Sequence, residues 1–132
     1  MRYFKAFVAG MILPAIISPI LLLFLSFTGS INVIGRLPGL YLGSILWGLW
    51  NIIFITTMKK VPINDRNDKI GAYGAVYGLF TVLINSFYFE ITSVITQFSD
   101  SSIIWFLVFY PLSLFFIWKY IVNALNLIFD VY

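Results

Sequence analysis

The chain has 132 residues, of which 61% are hydrophobic and 10% charged, with a formal net charge of +3 at neutral pH. A soluble domain carries about 25% charged residues, and a globule this small cannot bury so much apolar surface within itself. The composition therefore excludes an ordinary soluble globule, and it equally excludes a polar disordered chain. With a mean hydropathy of +1.00, the expectation is an all-α integral membrane protein forming a single membrane domain over 1–132.

Two absences narrow the chemistry. The sequence contains no Cys and no His, which removes thiolate chemistry, disulfides, the commonest metal ligand and the commonest general base near neutral pH. The five acidic residues are Asp65, Asp68, Glu90, Asp100 and Asp130. They do not cluster in sequence as a metal site would require, so no metal and no cofactor is expected.

In chain order, the first span is expected at about 6–28. The thirty residues between Lys5 and Arg36 are uncharged, enough at 1.5 Å per residue to cross roughly 30 Å of hydrocarbon. A signal peptide is the competing reading, because Arg2 and Lys5 precede the apolar run. Its apolar region would be about 7–15 residues and would end in a small-residue cleavage site. This run is longer and ends Phe27-Thr28-Gly29-Ser30, which favours an uncleaved helix. Pro14 and Pro19 lie inside it and each favours a kink.

The second span is expected at 39–58, entered through Pro38, a residue suited to a helix start. A hydrophilic segment from Lys59 to Lys69 follows and reads as a loop. Its Asn64-Asp65-Arg66-Asn67-Asp68 run lacks the spacing, central Gly and terminal Glu of a calcium loop. The third span is expected at 70–95 and the fourth at 103–120, with Ser99 or Asp100 able to cap the latter. Residues 121–132 either extend the fourth span or lie along the interface.

Four helices with short connections predict an antiparallel up-down bundle. An even number of spans puts Arg2, Lys5, Lys59, Lys60, Arg66, Lys69 and Lys119 on one side and Arg36 alone on the other. Cytoplasmic loops carry the excess of Lys and Arg, so both termini are placed in the cytoplasm; in a bacterium the location is the inner membrane. These cations read as membrane-surface charges facing the lipid bilayer, and no nucleic-acid partner is expected.

The third span carries the most organised pattern. Gly71, Gly74, Gly78, Thr81 and Asn85 recur at three- and four-residue steps and share one helix face. Small residues at that spacing allow close backbone approach, against the second span, with its Gly39, Gly43 and Gly48, or against another copy of the chain; the third reading is a ligand path lined by Asn85 and Thr81. The pairs Tyr73-Gly74 and Tyr77-Gly78 do not make an ion filter, because a filter needs non-helical backbone lining a pore.

Two intramembrane polar residues are candidate sites. Glu90 is the acidic residue within a span, and such a carboxylate is a functional hypothesis. It lies about 28 Å beyond Gly71 along the axis, near the outer interface, and Lys119 falls at the opposite depth. Asn51 needs a partner across a helix interface, and Asn85 is one such mate.

No nucleophile–base pair and no phosphate-binding loop is present, so no enzyme activity is expected. The favoured function is a small membrane subunit or interaction partner of a larger membrane complex, acting through helix–helix contacts with a protein partner or as a homo-oligomer. The alternatives are an oligomeric transporter or channel using Glu90, and an immunity-type protein that blocks a membrane-inserting toxin.

Overall fold

The computed structural model describes the backbone of residues 1–28, 39–88 and 101–132, with the side chains of 39–41, 85–88 and 101–105 left outside the description. The elements are α1 (Arg2–Phe27), α2 (Gly39–Thr57), a one-turn 3₁₀ segment (Met58–Lys60), α3 (Arg66–Tyr88) and α4 (Ser101–Ile117). A π-helical turn (Trp118–Val122) then leads into α5 (Asn123–Ile128). Apart from short turns such as 61–65 and 129–132, the described residues are helical, and none of them forms a strand. Three of the described helical stretches are long and apolar enough to cross a membrane: Arg2–Phe27, Leu42–Lys60 and Phe106–Ile128.

Helix α1 runs unbroken through Pro14 and Pro19. Helix α3 starts at Arg66, earlier than the expected residue 70, because Asp65 caps it. The Asp65 carboxylate accepts from the Asn67 amide at 2.9 Å and its carbonyl from the Lys69 amide at 3.0 Å. The last four residues of the hydrophilic segment, Arg66 to Lys69, are thus the first turn of a helix, with one of its exposed amides satisfied by the cap. The end expected for this span at 95 and the connection before the fourth lie outside the described residues.

The fourth helix also exceeds its expected end at 120. Pro111 sits inside α4, and the π turn carries the helix on to Ile128. The stop comes from Asp130, which adopts φ 51°. Its amide bonds to the Leu127 carbonyl at 3.0 Å, and the Val131 amide reaches back to Asn126 at 2.9 Å. This 5→2 and 6→1 pair is a Schellman termination, with aspartate taking the left-handed position that glycine usually fills. The residues after 120 therefore extend the helix and then reverse.

The chain forms two compact units, one of Met1–Lys60 with Ala124–Tyr132 and one of Val61–Asn123. In the first, α1 and α2 pack antiparallel: Ala6 lies beside Asn51, Phe7 beside Gly48, and Gly10 beside Trp47 and Gly48. A Cβ on Gly10 would fall 2.7 Å from the Trp47 carbonyl oxygen and 3.1 Å from Gly48 Cα, so a side chain there would push the backbones apart. In the second unit α3 and α4 pack antiparallel, with Gly71 against Phe115, Gly74 against Leu114 and Trp118, and Gly78 against Pro111.

Candidate functional site

The face Gly71, Gly74 and Gly78 is buried and filled by α4 and the π turn. At Gly74 an added Cβ would lie 2.5 Å from the Leu114 carbonyl oxygen and 2.5 Å from Trp118 Cβ. The indole of Trp118, fully buried, is thus seated where the glycine leaves room, and Tyr77 flanks it with ring centroids 6.3 Å apart. Thr81 turns its hydroxyl onto the Tyr77 carbonyl at 2.8 Å, satisfying itself within its own helix. Asn85 belongs to α3, but its side chain lies outside the described residues, and so does all of Glu90.

Asn51 is fully buried, and its side-chain partner among the described residues is Asn126; the side chain of the expected mate Asn85 lies outside them. Its Nδ2 donates to Asn126 Oδ1 at 2.7 Å and also to the Ala6 carbonyl at 2.7 Å. Asn126 returns a bond from Nδ2 to Asn51 Oδ1 at 3.1 Å and donates its other hydrogen to the Tyr132 hydroxyl at 3.4 Å. All four amide hydrogens are used and both amide oxygens accept. Gly10 makes this possible: an added Cβ there would lie 2.9 Å from Asn51 Cβ, so only glycine lets α2 come close enough for Asn51 to reach α1.

Around this amide pair the ends of the chain are tied down. Arg2 Nε donates to the Val131 carbonyl at 2.8 Å, and Lys5 Nζ lies 3.4 Å from Asp130 Oδ2. Val131 is fully buried, whereas the Lys5–Asp130 pair is open to solvent and contributes little.

The second unit has its own polar cluster. Lys119 Nζ donates to Asp68 Oδ1 at 2.6 Å, and Asn123 Nδ2 donates to Asn67 Oδ1 at 2.8 Å. Lys119 also lies 5.7 Å from the Phe115 ring centroid and 5.8 Å from that of Tyr120, distances at which a cation is attracted to the ring face. Asn67 and Asp68 on the capped first turn of α3 thus meet Asn123, the first residue of α5, and Lys119 in the π turn.

The remaining basic candidates are placed as follows. Arg66 and Lys69 lie on the first turn of α3, while Lys59 and Lys60 are exposed on the 3₁₀ turn that ends α2. Thr56 and Thr57, just before that turn, bond their hydroxyls to the Ile53 carbonyl at 2.8 and 2.5 Å.

Chemically, the buried polar side chains among the described residues are amides: Asn51, Asn123 and Asn126. Amides do not titrate in the physiological range, and what these three supply is fixed hydrogen bonds between helices. No group of three or more acidic residues that could hold a metal occurs among the described residues. Sequence reasoning missed Asn123 and Asn126 as well as the ties of Lys119 and Arg2. The available signal was the i, i+3 spacing of two amides in an otherwise apolar tail, which on a helix share a face.

No family model matches this chain, and neither curated proteins nor solved structures give a match.

Proposed function

We propose that the protein is a small polytopic subunit of a larger membrane complex, acting through helix contacts rather than catalysis. In this reading four spans form an antiparallel bundle in a bacterial inner membrane, with both termini and the loop after Lys60 in the cytoplasm. The antiparallel packing of α1 and α2 supports the orientation, since it brings Arg2, Lys5, Lys59 and Lys60 to one end, as the positive-inside rule requires.

One observation carries the reading. The buried residues of α1 are Ala6, Ala9, Gly10 and Pro14, all in its first half. Beyond Pro14, Ile16, Ile17, Ile20, Leu21, Leu23, Phe24 and Phe27 are all exposed. Those seven side chains span several directions around the helix, so this half-helix presents apolar surface to lipid or to another helix. Gly10, Gly48, Gly71, Gly74 and Gly78, by contrast, are covered by the chain's own helices, which supports the outer half of α1 as the partner surface.

The test is affinity purification of the tagged protein in mild detergent, followed by mass spectrometry. A membrane protein recovered in fixed proportion, and lost on Ile20→Ala/Phe24→Ala without loss of the chain itself, is the expected result. Recovery without any protein partner overturns it, and a homo-oligomer whose ion flux depends on Glu90 replaces it with the transporter reading.

A further inference from the structure

The first unit is electrically lopsided at one end. Its described residues hold Arg2, Lys5, Lys59 and Lys60 against a single acid, Asp130, and that acid is engaged by Lys5. The register of α1 against α2, with Ala6 beside Asn51 and Gly10 beside Trp47, extrapolates to Arg2 opposite about residue 55. Lys59 and Lys60 then stand about one turn further along the same end. Both lysines are exposed, and neither makes an ion pair or a side-chain hydrogen bond among the described residues.

Arg2 completes the arrangement. Its Nε is fixed on the Val131 carbonyl at 2.8 Å, which holds the guanidinium in place and leaves its terminal amino groups as donors. A guanidinium so oriented suits phosphate, which it can bind through two parallel bonds. The end of the unit also adjoins two stretches apolar enough to lie in a bilayer, Arg2–Phe27 and Leu42–Lys60, so its cations fall at the level of the headgroups.

From this geometry we infer that Arg2, Lys59 and Lys60 form a headgroup site for an anionic phospholipid, with Arg2 the fixed donor and the two lysines the mobile ones. The ligand is a phospholipid with net negative charge, such as phosphatidylglycerol. A zwitterionic lipid offers the same phosphate but carries its own ammonium, which these cations repel. The inference takes the membrane placement proposed above and is independent of any protein partner, so failure to find a partner leaves it standing.

The experiment uses the full chain purified in mild detergent. Phosphatidylglycerol or phosphatidylcholine is added, and bound lipid is read by native mass spectrometry together with the thermal unfolding midpoint. Phosphatidylglycerol is expected to be retained and to raise the midpoint, with phosphatidylcholine doing neither. Lys59→Gln/Lys60→Gln should weaken phosphatidylglycerol binding about ten- to thirtyfold, as expected for two cations near an anionic surface. Arg66→Gln/Lys69→Gln, which removes the same charge from the second unit, should leave it within about twofold. Equal retention of the two lipids overturns the site. So does an equal loss in the control variant, which would make the attraction a diffuse property of surface charge. Equal stabilisation by glycerol 3-phosphate at the same concentration would overturn the lipid as the ligand. Arg2→Lys, which keeps the charge and loses the fork, should weaken binding severalfold; unchanged binding in it removes Arg2 from the site.

Discussion

Asn51 and Asn126, 75 positions apart in sequence, hold each other through reciprocal amide bonds of 2.7 and 3.1 Å, with both side chains fully buried. Replacing one partner strands the other. Asn51→Leu or Asn126→Leu should each cost about 1–3 kcal/mol, the penalty of a buried amide left unsatisfied. Asn51→Leu/Asn126→Leu should cost clearly less than the sum of the two, because no polar group is then orphaned. Unfolding midpoints in detergent decide it; strict additivity would mean that the two amides do not act as a pair.

Gly78→Leu should destabilise the protein by about 1–3 kcal/mol, as overpacking does in tight cores. A Cβ there would already lie 2.8 Å from Pro111 Cα, so backbone must move. Leu79, one residue on, is 47% exposed, and Leu79→Ala should change the midpoint far less. The comparison is a pair of thermal melts, and similar midpoints for the two variants would count against the close α3–α4 approach.

Lys119 and Asp68 are both partly open to solvent, so their 2.6 Å bond should contribute no more than about 1 kcal/mol. Asp68→Lys should be worse than Asp68→Asn, because it sets two ammonium groups together. The exchange Asp68→Lys/Lys119→Asp should recover most of that difference. Chemical denaturation of the three variants measures it.

The proposed orientation predicts that a cysteine at Asn64, in a chain with no native cysteine, stays protected from an impermeant thiol reagent in intact cells. Cysteines at Asn32 and Ser101 should react. Labelling at position 64 would invert the topology.

Glu90→Gln should leave assembly with a partner unchanged. A subunit needs no charge that can be bound and released at that position, whereas a transporter coupled through this carboxylate does. Loss of function with normal expression and normal assembly would favour transport.

Much of the helix content was legible because runs without charge are bounded by charged or polar residues. The glycine face of α3 was legible for a related reason, since three- and four-residue spacing is a local property of a helix. What fills that face was not, because Trp118 and Pro111 are among many large apolar residues and periodicity does not say which one opposes a given glycine. The same limit hid Asn126. A stop near Tyr120 is reasonable where Lys119 interrupts the hydropathy, but a partly paired lysine does not end a helix. Asp130 ends it, through a backbone conformation that its residue type only weakly signals.

The bond from Arg2 to the Val131 carbonyl has a consequence for chain connectivity. The start of α1 and the turn after α5 meet in space, so a short Gly/Ser bridge could join residue 132 to residue 1. A new opening at Asn64, in the exposed segment between the 3₁₀ turn and α3, would then sever no helix. Such a circular permutant would keep the amide pair, both close-packed glycine faces and the Lys119–Asp68 bond. The order in which the helices are threaded is therefore separable from the contacts that hold each unit together.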